Sequence, residues 1–158
     1  LTLLGGDTPE LEKLLDQQPS CVCLLGHRPQ AELVQHYQRA HCFVIASIEE
    51  GMAMVQMQAL ACGLPLICTT NTGGEDLLRL KGASGQTIKH GINQFPAGFL
   101  VPIHHPEAIA HCLQRLQQEP ELWRGMREAA LELAKGELSW SAYGARAISH
   151  YASLINAG

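Results

Sequence analysis

The sequence predicts an α/β domain built on a doubly wound parallel sheet, and three observations carry that prediction. Its strands read as near-continuous apolar runs rather than alternating ones, the pattern of a sheet covered on both faces. Helical patterns follow the runs. Glycine-bearing turns sit where the runs end.

Leu1–Leu4 is a first short run, closed by Gly5-Gly6-Asp7. A polar helix is expected over Pro9–Gln18, with Pro9 in its first turn. Cys21–Leu25 is a five-residue strand ended by Gly26. Gln30–Ala40 places Leu33, Val34 and Tyr37 at helical spacing behind Pro29. Cys42–Ala46 is again continuously apolar. Met52–Ala61 reads as a helix that is apolar almost all round, closed by Cys62-Gly63 and stopped by Pro65. Leu66–Cys68 is a short strand, followed by a turn over Thr69–Gly74. From Leu80 to Gly98 the pattern dissolves into Gly, Ser, Asn and Gln, which reads as an irregular loop. Phe99–Val101 is the last strand, and helices over Pro106–Gln118, Glu121–Ala134 and Trp140–Ala157 complete the chain.

With 158 residues the chain has the length of one domain. It is 46% hydrophobic and only 16% charged, against about 25% charged in typical soluble domains. A sheet buried between layers explains part of that deficit. A surface meant to meet another domain explains the rest, with the Trp140–Ala157 helix the first candidate. A formal net charge of −4 argues against nucleic acid and polybasic membrane contacts as partners. No apolar run approaches the roughly 20 residues of a membrane span. The six cysteines, Cys21, Cys23, Cys42, Cys62, Cys68 and Cys112, include no Cys-x2-Cys pair. They read as buried or half-buried free thiols of a reducing compartment, with Cys21 and Cys23 on one face of a strand. A chain opening on Leu1 reads as cut from something longer.

Ligands of open parallel sheets bind outside the carboxyl ends of the strands. Four such ends carry unusual residues: Gly5-Gly6-Asp7, Gly26-His27-Arg28, Glu50-Gly51 and Asn71–Glu75. At Glu50-Gly51-Met52-Ala53 a strand ends and a helix is expected to begin. The amides of Met52 and Ala53 would point at whatever lies above the helix N-terminus, a place that favours phosphate. Glu50 would instead accept hydrogen bonds from hydroxyls. Gln58 stands eight residues on, about 12 Å along a helix. A nucleotide-sugar fits that span, with Glu50 on the hexose and Gln58 on the ribose.

This segment resembles the Glu-x7-Glu signature of the family-four (group 1) retaining glycosyltransferases. The flanking Leu24-Leu25-Gly26, Cys42–Ser47, Gln58–Ile67, Thr72–Asp76, Gly98–Pro102 and Ser139-Trp140 agree with it. The resemblance implies the carboxy-terminal half of a GT-B fold, a Rossmann-like parallel sheet flanked by helices. Residues 1–158 would be the nucleotide-sugar-binding domain, truncated at its N-terminal edge, with the N-terminal acceptor domain absent. The implied reaction transfers a hexose from a nucleotide diphosphate sugar to an acceptor, with the donor as substrate and no separate cofactor. Glu50, Gly51, Met52 and Ala53 would contact donor sugar and phosphate. Gly26, His27, Arg28, Val55 and Gln58 would lie around the nucleoside. Cytoplasmic location follows, with room for peripheral membrane association of the full-length protein.

Two departures qualify this. Gln58 replaces the second Glu, giving up a charge-assisted bond to the ribose, a loss of about 1 kcal/mol. The Arg and Lys with which the family neutralises the departing pyrophosphate fall ahead of Leu1, so no complete catalytic set is expected here. Arg79 and Lys81 read as solvated. His104-His105 is not read as a metal pair, because adjacent residues do not converge on one ion. The alternatives are a nucleotide-sugar epimerase of the same fold and a non-catalytic, partner-binding module.

Overall fold

In the computed structural model, the described residues are 1–6, 13 and 21–156, and they fall into two compact units, Leu1–His36 and Tyr37–Gly158. The helix expected over Pro9–Gln18 lies outside the described residues except for Lys13, which is helical.

The first unit holds two short parallel strands, β1 (Thr2–Leu3) and β2 (Cys23–Leu24), paired Thr2 to Cys23 and Leu3 to Leu24. The pairing runs on beyond the strands, with Leu25 N–H donating to Leu3 O at 3.0 Å and Gly5 N–H to Gly26 O at 3.2 Å. Most of helix α1 (Gln30–Arg39) follows. Cys21 stands in a turn before β2, and both Cys21 and Cys23 are exposed, so the expectation of two covered thiols on one strand face is corrected. The strand expected over Cys21–Leu25 narrows to its centre.

The second unit is built on a five-stranded sheet in the order β3-β4-β7-β6-β5. Strands β3 (Phe43–Ile45), β4 (Leu66–Thr69) and β7 (Gly98–Val101) are parallel, with Val44 opposite Ile67 and Ile67 opposite Phe99. The stretch expected to be an irregular loop instead adds β6 (Asn93–Phe95), antiparallel to β7, and beyond it β5 (Gln86–Thr87), antiparallel to β6. Its polar letters conceal the pairing because an edge strand covered on one side needs few apolar residues. Among the helices are α2 (Met54–Ala61), α3 (Gly74–Leu78), α4 (Pro106–Gln118), α5 (Pro120–Gly136) and α6 (Trp140–Asn156).

Alternation along β4 and β7 divides the core into two layers, as the period of two in a strand requires. Leu66, Cys68 and Leu100 pack on one face with Leu60, Leu77, Ala130 and Leu133. Ile67, Phe99 and Val101 pack on the other with Ala108, Cys112, Leu116 and Met126. Both faces of β4 and β7 are buried, which accounts for their continuous apolar runs. Helix α4 buries Ala108, Cys112 and Leu116 at spacings of four, the inward stripe of an amphipathic helix. Among its described side chains helix α6 buries none; Trp140, Tyr143, Ile148, Tyr151, Leu154 and Ile155 are all exposed on it. Among the described residues no helix is long and apolar enough to cross a membrane.

Candidate functional site

Two turns leave the carboxyl ends of the neighbouring parallel strands β3 and β4, and hydrogen bonds lace them together. Glu50 N–H donates to Asn71 O at 2.8 Å, and Thr69 Oγ1 donates to Ser47 O at 2.5 Å. Ser47 Oγ donates to Glu50 Oε2 at 3.2 Å, which turns the carboxylate back over its own turn. Between the turns lies an open cavity of about 590 Å³. Glu49, Glu50, Gly51 and Met52 form one wall; Asn71, Gly73 and Asp76 form the other. Volumes of several hundred Å³ are those of small-molecule sites.

Gly73 is required where it stands. Its φ is +69°, and a Cβ there would lie 2.8 Å from Met52 Cα. Asn71 also takes a left-handed conformation, φ 69°, which Asn tolerates better than most residues. The close approach of the two walls therefore depends on the residue types of the second turn as much as on Glu50-Gly51.

Helix α2 begins at Met54, two residues later than expected. Ala53 is extended at φ −67° and ψ 114°, and it caps the helix without a side-chain bond. The tie between Glu50 N–H and Asn71 O holds the preceding turn against β4 and delays the helix. The amides of Met52 and Ala53 thus precede the helix. Those of Met54 and Val55 have no intrahelical acceptor by position, while Gln56 N–H already bonds Ala53 O at 3.0 Å.

Of the residues singled out in the sequence, Glu50, Gly51 and Met52 line the cavity, and Ala53 links them to α2. Val55 and Gln58 lie on α2, partly buried, and are not among the lining residues. Gln58 Oε1 is buried and has no hydrogen-bond donor among the described residues. Gly26, at φ +65°, and the exposed His27 and Arg28 belong to the first unit, after β2. Asn71 and Gly73 belong to the fourth unusual strand end of the sequence and Asp76 to the flanking Thr72–Asp76 match; the sequence assigns none of them a role. Gln56, fully buried beneath the site, gave no signal beyond its neighbourhood to Gln58.

Among the described residues the lining includes three carboxylates and no Lys, Arg or His. Arg79 is engaged elsewhere, 2.8 Å from Glu75 and stacked 5.5 Å over the Phe95 ring. Such a cavity accepts hydrogen bonds from hydroxyl groups. It offers an anion only backbone amides.

Over residues 1–119 the sequence matches the family described as Glycosyl transferases group 1. It is 31% identical over 141 residues to a D-inositol 3-phosphate glycosyltransferase of Corynebacterium jeikeium, covering 87% of this chain and 30% of that protein. The chain thus spans less than a third of that relative. In structure it is similar to sucrose-phosphate synthase from Thermosynechococcus elongatus, with a TM-score of 0.74 at 23% identity, over 99% of this chain and 39% of that one. A pneumococcal O-GlcNAc transferase solved with UDP and GlcNAc gives a TM-score of 0.61 at 24% identity, over 85% of this chain and 25% of that one. The structural likenesses speak for the α/β fold, and the sequence match speaks for descent: the chain belongs to the group 1 glycosyl transferases.

Proposed function

We propose that this chain is the donor-binding part of a retaining glycosyltransferase that moves a hexose from a nucleotide diphosphate sugar to an acceptor. The observation that carries the reading is the hydroxyl-accepting cavity at the carboxyl ends of β3 and β4, with Glu50 oriented by Ser47. Glu50 takes the sugar hydroxyls. The Gly51–Ala53 turn and the first amides of α2 take the phosphates. Gln58, whose Oε1 has no donor among the described residues, takes the ribose, with Val55 beside the nucleoside. The donor is the substrate and no cofactor takes part. The acceptor site falls to a preceding domain, and α6 is the surface we assign to it. Its six exposed apolar residues share one face, within an arc of about 140° at 100° per residue. The free thiols, two of them exposed, support a reducing compartment and hence the cytoplasm.

The test is a calorimetric titration with UDP- and GDP-sugars, run on this chain and on the chain with the family's upstream basic segment restored. Binding is expected to be weak for the first and stronger for the second. Glu50→Ala should weaken nucleotide-sugar binding by about tenfold, as loss of a charged hydrogen bond does, and should not weaken binding of the bare nucleoside diphosphate, which has no sugar hydroxyls for Glu50 to hold. Equal losses would remove Glu50 from the sugar. No binding of any donor at millimolar concentration, with the basic segment present, would sink the reading. Turnover of a UDP-sugar without acceptor would reveal an epimerase instead.

A further inference from the structure

Helix α2 turns one face inward and buries Gln56, Ala59 and Leu60 there. Gln56 is the anomaly of that face: an amide with no exposure to solvent. Its Nε2 donates to Thr72 O at 2.6 Å, and the assignment is secure because a carbonyl can only accept. Its Oε1 has no donor within reach among the described residues. Space for that oxygen exists because residue 74 is glycine; a Cβ there would lie 2.5 Å from Oε1 and collide with Cys68 Sγ. A methionine would fill the same volume without an unpaired oxygen. The bond to Thr72 is what the amide adds.

That bond lands on the turn forming one wall of the cavity. Thr72 is itself fully buried and closes the turn by donating its hydroxyl to Thr69 O at 2.7 Å. One residue before it, Asn71 O receives Glu50 N–H; one residue after it, Gly73 rests on Met52. We propose that Gln56 is a positioning residue: by fixing Thr72 to α2 it sets the separation of the Glu50–Met52 wall from the Asn71–Gly73 wall. The inference rests on the donor-site reading for what occupies the cavity, and on the hydrogen bonds alone for the geometry.

The Glu50 amide reports on the junction, since among the described residues its acceptor belongs to the opposite turn. In Gln56→Met, hydrogen exchange of the Glu50 amide, followed by NMR, should accelerate by about tenfold, the weight of one hydrogen bond. The β4 and β7 amides of Ile67 and Phe99 should hold their rates. Nucleotide-sugar affinity should fall several-fold with them unchanged. Gln56→Glu supplies the second arm and a rescue. Protonated, its carboxyl donates to Thr72 O as the amide does; ionised, it has no proton to give. Glu50 exchange in this variant should therefore match wild type at low pH and exceed it as pH rises. The titratable and charged groups of the adjoining elements, among them the Cys68 thiol on β4, Glu75 and Asp76 on α3, and Arg127, Glu128 and Glu132 on α5, are common to both proteins, and the wild-type profile corrects for them. If Gln56→Met loosens the whole sheet, Ile67 and Phe99 will show it, and Gln56→Glu then decides. Unchanged Glu50 exchange in both variants overturns the inference. A wild type that binds no nucleotide-sugar sinks the donor-site reading instead, and Glu50 exchange decides on Gln56 in either case.

Discussion

Cys68 and Cys112 sit in opposite layers of the core, on either side of the sheet, and neither reaches solvent. Burial dominates at both, pushing each thiol from 9.0 up to about 12; a hydrogen bond with Thr72 opposes it at Cys68, and Arg115 at Cys112. The sign follows directly. Above pH 9 the unfolded chain ionises these thiols while the folded chain holds them neutral, so stability is complete below pH 9 and is lost toward pH 12. The slope in that window approaches about 1.4 kcal/mol per pH unit for each thiol. Urea unfolding at several pH values between 7.5 and 10.5 should show it, with a shallower decline in Cys112→Ala. The same burial predicts that a thiol reagent labels Cys21 and Cys23 in the native protein but reaches Cys68 only on unfolding. Labelling of Cys68 as fast as Cys21 would contradict the packing described.

At the level of elements, the continuous runs announced β4 and β7, and the helical stripes announced α4 and α5 nearly to the residue, because burial on both sheet faces or on one helix face leaves a pattern in the letters. What escaped was held by contacts rather than by pattern. Strands β5 and β6 pair through Thr87, Asn93 and Gln94, polar residues whose partners are supplied by β7 and by Arg115, whose Nη1 donates to Gln94 Oε1. The five-residue α3 is too short to show a period. The late start of α2 depends on a bond from Glu50 to a residue 21 positions away. In the site, Glu50-Gly51 was legible because a strand end, a glycine and an acid coincide there; Asn71, Gly73 and Asp76 acquire a role only when β4 is laid beside β3. Gly98 shows how strictly that lateral spacing is set. A Cβ on it would strike the backbone of Leu66, with Leu66 N only 2.8 Å away. Gly98→Ala must push β7 off β4 in the middle of the sheet, and a cost of about 3 kcal/mol or more is expected, the range of severe core disruption. Chemical denaturation measures it; a loss below about 0.5 kcal/mol would mean that the strands separate freely.

For the molecule as a whole, the decisive quantity is charge. The chain carries a net −4, and three of its carboxylates, Glu49, Glu50 and Asp76, gather at the cavity after β3 and β4. A nucleoside diphosphate entering there meets repulsion that amides alone do not offset. At an effective dielectric near 20, two unit charges about 8 Å apart repel by about 2 kcal/mol before salt screening. Glu50 is expected to recover its share by binding sugar hydroxyls, whereas Glu49 makes no side-chain hydrogen bond among the described residues and lines the same wall. Glu49→Gln should therefore raise affinity for a nucleoside diphosphate by about three- to tenfold at low ionic strength, an estimate that discounts the same repulsion for solvent exposure. The gain should shrink as salt approaches 0.15 M, where the screening length falls to about 8 Å. Titrations of UDP at 20 and at 200 mM salt, on wild type and variant, give the answer. An equal affinity at low salt would place the phosphates away from Glu49, and the Gly51–Ala53 turn would lose its role in holding them.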